Sequence, residues 1–433
     1  MCYIGFTFLR LPRFRRAETT SYHLPKRVLM STTVATRHPI QVDVVLGTRP
    51  EAIKLAPVVL ALRNQESLQP RVISTGQHRD LVAEILGEFG INPDQDLDLL
   101  AHGQSLTDIL ARAVECLGAS LRRNRPDMLL VQGDTTSALA GALAAFYERI
   151  PVAHVEAGLR SGSLDHPFPE EANRALIGRI AQLHFAPTPG AASNLIREGA
   201  DAAQVHVCGN TVIDALHQLQ LGRPNSATHS RLILVTSHRR ENWGPGFTAV
   251  CQAVRRLIEK RDDVRVLFVL HPNPALRAVA EEVLGGHPQV TLSPPLSYVK
   301  FVTQLAESYL VLSDSGGVQE EATALGKPLL LLRETTERPE GVEAGTVRMV
   351  GTNETAIVAA ATRLLDDSTA YRHMAHPANC FGDGFASQRI VQVIEHYFGR
   401  ARRPAQFAAT GASICGLNGQ AIADPMFASI PCQ

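Results

Sequence analysis

No stretch of the sequence approaches the roughly 18 uninterrupted apolar residues that a membrane-spanning helix needs, so a helical membrane protein is excluded. The seven cysteines, at positions 2, 116, 208, 251, 380, 415 and 432, form no CxxC pair. Neither a disulfide framework nor a zinc site is therefore expected, and a reducing cytoplasm is the expected setting. Formal net charge is zero, which leaves no electrostatic footprint for nucleic acid. The opening glycine turn does not read GxGxxG, so no dinucleotide cofactor is implied. What is present is globular: 45% of the 433 residues are apolar and 19% are charged. That length carries two or three domains, each able to bury its own core.

Residues 1–39 stand apart. They hold Arg10, Arg13, Arg15, Arg16, Lys26, Arg27 and Arg37 against a single acid, Glu18. The apolar piece over 2–9 is short, is broken by Arg10 and lacks a small-residue cleavage site, so it does not read as a signal peptide. An Arg-rich, acid-poor leader is compatible with a transit peptide. The preferred reading is a disordered extension, or a start codon assigned too early with Met30 as the true start.

The rest of the chain is organised around Ser313-Asp314-Ser315-Gly316-Gly317-Val318-Gln319-Glu320-Glu321. The apolar run over 309–312 before it reads as a buried strand. The residues after it read as a helix that ends at Gly326. The glycine pair thus falls where a strand turns into a helix, and there the first N–H groups lack internal partners and carry the positive end of the dipole. A phosphate is the natural guest. Glu321, four residues after Gly317, lies on the same helical face and suits the two hydroxyls of a ribose. An ordinary capped helix is the alternative.

The same strand–turn–helix unit recurs. A strand over 41–46 runs through Gly47-Thr48-Arg49-Pro50-Glu51 into a helix to about Arg63. Arg49 in the turn and Lys54 one turn later are placed to meet a polyanion, or else are solvated surface cations. Strands are expected over 71–75, 127–131, 151–155, 183–186 and 204–207. Asp134, Glu156 and Glu170 fall at strand carboxyl ends or helix starts, where ligands bind in open α/β sheets. Asp134 has a second reading as a helix N-cap. Three carboxylates on one rim are not all comfortably ionised, so one is expected to have a raised pKa and act as an acid or base.

A polar Pro/Gly linker follows, and then a second alternating series. Its strands are expected over 231–236, 264–270 and 328–332, with Ser237-His238-Arg239-Arg240 just past the first of them. His238 is a candidate phosphate partner. The fold class expected is α/β, with two Rossmann-like doubly wound domains facing a cleft. The divisions are an extension (1–39), a first domain with the carboxylates (40–221), a linker (222–230), a second Rossmann-like domain with the phosphate-binding helix (231–383), a C-terminal helix (384–398) and a tail (399–433). The residues alone point to an enzyme acting on a nucleotide-linked substrate and leave the reaction open.

Eight motifs then resemble one family in register. They are Gly47-Thr48-Arg49-Pro50-Glu51, Gly133-Asp134-Thr135-Thr136, His154 to Arg160, Pro169 to Arg174, Gly209 to Asp214, His238 to Asn242, Asp314 to Glu321 and Thr335 to Glu340. In order and spacing, from about residue 42 to 398, they are similar to the bacterial non-hydrolysing UDP-N-acetylglucosamine 2-epimerases. The resemblance implies the glycosyltransferase-B-type fold, a homodimer, and reversible C2 epimerisation of UDP-GlcNAc to UDP-ManNAc through a glycal. It implies no metal or other cofactor and a cytoplasmic role in supplying cell-surface polysaccharide. By the same resemblance, Ser315, Gly316 and Gly317 bind the diphosphate and Glu321 the ribose. Arg49, Lys54, His238 and Arg338 contact the UDP-sugar, and Phe301 lies near the uracil. Asp134, Glu156 and Glu170 transfer protons, and His238 assists the leaving diphosphate. Leu296, ahead of Tyr298 and Phe301, stands where some relatives carry Gln. The alternatives are an epimerase for a modified UDP-HexNAc, a hydrolysing epimerase, a silent UDP-sugar-binding protein, or a glycosyltransferase of the same fold.

Overall fold

The structure, a computed structural model, describes residues 38–99, 104–164, 167–219 and 230–409. The extension to residue 37, all but the last residue of the expected linker and the tail beyond 409 lie outside the described residues. Seven strands form one parallel sheet: β1 (Ile40–Leu46), β2 (Leu68–Ser74), β3 (Gln95–Asp96), β4 (Met128–Gln132), β5 (Val152–Val155), β6 (Leu183–Ala186) and β7 (Val205–Val207), in the order β3-β2-β1-β4-β5-β6-β7. Six more form a second parallel sheet: β8 (Arg231–Thr236), β9 (Val264–Val269), β10 (Val290–Ser293), β11 (Leu310–Ser313), β12 (Leu329–Leu331) and β13 (Val347–Met349), in the order β10-β9-β8-β11-β12-β13. Both are doubly wound Rossmann-like sheets of the glycosyltransferase-B type. Their central strands are buried at almost every position, as expected of parallel strands covered by helices on both faces.

Strand order reverses between β1 and β4 in the first sheet and between β8 and β11 in the second. In open α/β sheets the crevice outside the strands' carboxyl ends at such a reversal is the ligand site. Arg49 begins the helix that follows β1, and the turns after β4, β8 and β11 carry Asp134, His238 and Ser315 respectively.

The C-terminal helix, Ala386–Tyr397, lays Ile390, Val391, Val393 and Ile394 into the core beneath β1 and the helix Arg49–Arg63. Its start is secured by buried Asp214, whose carboxylate accepts from the Ser387 N–H at 2.7 Å and the Ala386 N–H at 3.2 Å. These are two of the donors a helix start leaves unpaired. Beyond it the chain returns to the first sheet: the Phe407 N–H donates to the Val207 carbonyl at 2.8 Å, and the ring is buried. No helix among the described residues is long and apolar enough to cross a membrane.

Gly47 closes the first reversal. A Cβ at this position would stand 2.1 Å from Thr75 Oγ1 and 2.2 Å from Ser137 Oγ, and those two hydroxyls bond to each other at 2.8 Å. Gly47→Ala is expected to cost about 1–3 kcal/mol through overpacking, read as a lower urea midpoint at unchanged slope. An unchanged midpoint would mean the turn relaxes freely.

Candidate active site

Asp314 directly follows β11 and is fully buried. Its carboxylate accepts from Ser237 Oγ at 3.0 Å, the His238 N–H at 2.9 Å, the Arg239 N–H at 3.0 Å and Asn242 Nδ2 at 2.9 Å. One aspartate therefore clamps the loop after β8 against the turn after β11 and fixes where His238 stands. Burial lowers the His238 imidazole pKa below its usual value, with His271 and Arg49 adding to this and the Asp314 charge opposing it. The ring packs edge-on to His271, centroids 5.6 Å apart.

The helix Gly316–Ala324 starts immediately after, with Ser315 at its N-cap making no side-chain cap bond. The two glycines are needed for different reasons. At Gly316 a Cβ would stand 2.6 Å from Arg338 Nη1, whereas at Gly317 it would meet nothing within 4 Å. Gly316 therefore makes room for Arg338, and Gly317 leaves the helix N-terminus open to the cleft, the geometry an anion uses.

That cleft, of about 300 Å³, is walled by both sheets' loops. Arg49, Lys54, His238, Phe301, Ser315, Gly317 and Glu321 line it, with Tyr298 and Leu296 beside them. Arg49 Nη2 donates to the Leu296 carbonyl at 2.7 Å and so reaches across to the second sheet's side. Glu321 is buried and accepts from the Tyr298 hydroxyl at 2.9 Å. Burial raises its carboxyl to about 7, against the opposing effects of that hydrogen bond and of Lys54 and Arg49.

Asp134, Glu156, Glu170, Gly316 and Arg338 are not among the residues lining the cleft. Glu156 joins it through its partners. It follows β5 with a left-handed φ of 60°, a conformation that costs a non-glycine residue energy and clusters at functional sites. Its carboxylate accepts from Lys54 Nζ, from Gln132 Nε2 and from Arg338 Nη2, the last at 3.0 Å. Burial alone would raise its pKa, but Lys54 and Arg338 outweigh burial and hold it below the usual range. Lys54, read from sequence as a cation placed to meet a polyanion or else solvated at the surface, is buried and paired with Glu156.

Arg338 is paired still more fully. Its Nε meets Glu320 Oε1 at 2.6 Å, Nη1 meets Glu337 Oε1 at 2.6 Å, and Nη2 meets Glu156. It ties the carboxylate after β5 in the first sheet to two carboxylates of the second. Against burial, the charges of Arg338, Arg333 and Arg239 hold Glu337 strongly downward and those of Glu320, Glu337 and Glu156 hold Arg338 upward, while burial raises Glu320.

Asp134 pairs with Arg174, and Asn173 Nδ2 donates to the Asp134 carbonyl at 2.9 Å. It is not the helix N-cap: Thr135 is, accepting from the Ala138 N–H at 2.9 Å. The Glu170 carboxyl is raised by burial and by the Asp134 charge, with Arg239 and Arg174 opposing. The expectation that at least one acid on the rim is raised is met by Glu170, while Glu156 is lowered because two cations reach it.

Five structural partners escaped the sequence reading: Glu51, Gln132, Arg174, Tyr298 and Asp314. Glu51 is fully buried and accepts from the Gly47 N–H at 2.9 Å, the Thr48 N–H at 2.7 Å and Thr135 Oγ1 at 2.6 Å. It binds together the turns after β1 and β4. Arg174 had a signal, since it lies four residues after Glu170 on one helical face.

Residues 60–395 match a family described as UDP-N-acetylglucosamine 2-epimerase. The chain is 46% identical over 372 residues to the UDP-N-acetylglucosamine 2-epimerase of Yersinia pestis, an alignment covering 83% of this chain and 99% of the relative. It is 45% identical over 372 residues to that of Salmonella typhimurium, with the same coverage. The solved UDP-GlcNAc 2-epimerase of Neisseria meningitidis, bound to UDP-GlcNAc, superimposes with a TM-score of 0.79 at 42% identity, covering 82% of this chain and 100% of that one.

Proposed function

The chain belongs to the UDP-N-acetylglucosamine 2-epimerase family, and we propose that it interconverts UDP-GlcNAc and UDP-ManNAc without hydrolysis, by expelling and re-adding UDP. One observation carries the reading. An open helix N-terminus, a buried carboxylate one turn along and the cations Arg49 and Lys54 meet in one cleft, with Glu156 a single ion pair behind it.

The C2 proton of the sugar is not acidic, so its removal is coupled to departure of UDP from C1. That leaves a glycal, to which UDP returns after reprotonation on the other face. The step needs a base, an acid and strong stabilisation of the leaving diphosphate. Ser315, Gly316 and Gly317 offer the diphosphate the positive end of a helix. Arg49, Lys54 and Arg338 add charge, and His238 stands beside them. Glu156, ionised, takes the proton from C2. A diphosphate drawing Lys54 toward itself weakens the ion pair and raises Glu156's basicity. Glu170, held toward its protonated form beside Asp134, supplies the acid. Phe301 packs at the base and Glu321 accepts the ribose hydroxyls.

A homodimer fits the exposed side chains Phe146, Tyr147 and Leu176 on two packed helices, Thr136–Tyr147 and Glu170–Ile180. Tyr147→Asp is expected to sediment as a monomer, and a persistent dimer would move the interface elsewhere.

The catalytic reading is tested by incubating the protein with UDP-GlcNAc alone, without acceptor sugar, and resolving the products. A mixture of UDP-GlcNAc and UDP-ManNAc is expected. Free ManNAc with UDP would assign a hydrolysing reaction. No conversion would favour a modified UDP-HexNAc or a glycosyltransferase.

A further inference from the structure

We propose that Tyr298 is a positioning residue for nucleotide binding: its hydroxyl fixes the Glu321 carboxylate as the acceptor for the ribose, so the two side chains read the sugar as a pair. The inference rests on the reading that Glu321 holds the ribose hydroxyls.

Three observations support it. Tyr298 is 2% exposed and Glu321 5%, yet both border the cleft, and the O–H to Oε1 distance is 2.9 Å. The tyrosine itself is held. It opens the helix Tyr298–Glu307 just after Ser297, whose side chain caps that helix, and Arg49 grips the carbonyl of Leu296 two residues earlier. A glutamate left to itself loses rotamer freedom when ordered; a rigid donor removes part of that cost before the ligand arrives. The stoichiometry also fits. A carboxylate offers about four lone-pair sites. Tyr298 takes one on Oε1, leaving Oε2 and the second site on Oε1 for two adjacent hydroxyls.

The pair also has a defined charge setting. Glu321 faces Glu320 on its own helix, Lys54 and Arg49 from the helix Arg49–Arg63, and Tyr298. Tyr298 faces Glu321, Arg49 and Glu88. Burial and the Glu321 charge raise the phenol well above its usual value, so it remains a donor throughout the neutral range. The hydrogen bond in turn lowers the Glu321 carboxyl, which burial has raised to about 7. An ionised Glu321 accepts both ribose hydroxyls and a protonated one does not. Binding therefore strengthens as pH rises through that value.

The test uses the full-length protein and four forms: wild type, Tyr298→Phe, Glu321→Gln and the double variant. Tyr298→Phe is expected to raise KM for UDP-GlcNAc about tenfold, with kcat falling less than about threefold. The acid limb of its kcat/KM profile is expected to move upward by about one pH unit. In the Glu321→Gln background Tyr298→Phe is expected to add nothing. A purely packing role would move neither the limb nor the coupling. The underlying reading is checked separately, by competition between UDP and 2′,3′-dideoxy-UDP. If Glu321→Gln leaves that discrimination unchanged, the ribose reading fails and the proposal fails with it. If Glu321→Gln abolishes the discrimination but Tyr298→Phe leaves KM and the limb at wild-type values, the proposal alone is overturned. Should Tyr298→Phe not fold, 3-fluorotyrosine at position 298 serves. As a stronger donor it is expected to move the limb downward, and an unmoved limb overturns the proposal.

Discussion

Glu156→Gln is expected to lower turnover by about three orders of magnitude while leaving UDP affinity within a few-fold of wild type. Gln keeps the shape and the acceptor oxygen but removes the group proposed to take the C2 proton. The neighbours sharpen the expectation. Lys54 and Arg338 both lean on Glu156, so its neutralisation leaves Lys54, which lines the cleft, without that charge partner and takes one of three carboxylates from Arg338. A diphosphate gains from that, and binding is expected to hold or tighten. The fold loses from it, because breaking a buried ion pair from one side costs about 3–5 kcal/mol. Turnover, calorimetric UDP affinity and thermal melting together separate the contributions. Equal loss of binding and turnover would make Glu156 structural.

Arg338→Met has the second large effect, and it carries a sign in pH. Arg338 is buried among Glu156, Glu320 and Glu337, and Met leaves three carboxylates sharing less positive charge. A loss of about 3–5 kcal/mol is expected near neutral pH. Removing the cation raises the folded-state pKa of its partners, and Glu320 is already raised by burial. A carboxyl with a folded pKa above its unfolded value favours the folded state least when ionised. The deficit is therefore largest at neutral and alkaline pH and shrinks as pH falls toward about 4.5, where the unfolded carboxyls also take up protons. Urea midpoints across pH measure this. A deficit independent of pH would assign Arg338 a packing role.

Why these networks were not legible in the sequence is a matter of range. The two sheets were legible, since buried parallel strands are continuous apolar runs and the turns after them carry the polar residues. Glu321 was legible because its relation to Gly317 is one helical turn. Lys54 and Glu156, by contrast, lie 102 positions apart, and Arg338 and Glu156 lie 182 apart. Those pairings depend on how two sheets face each other, which no local period encodes. The same limit explains why the partners of Arg49 and Lys54 were not foreseen, and why Tyr298 passed without a role beside Phe301. The helices Pro189–Arg197 and Pro245–Ile258 were passed over too. Each opens with Pro beside Gly, a pairing whose turn signal competes with that of a helix start.

The central claim is that this cleft breaks the C2–H bond of a UDP-sugar and re-forms it from solvent. Incubating the protein with UDP-GlcNAc in D2O and following it by proton NMR tests that most directly. The account predicts UDP-ManNAc carrying deuterium at C2, formed without free ManNAc. UDP-ManNAc that keeps its original proton at C2 would contradict it.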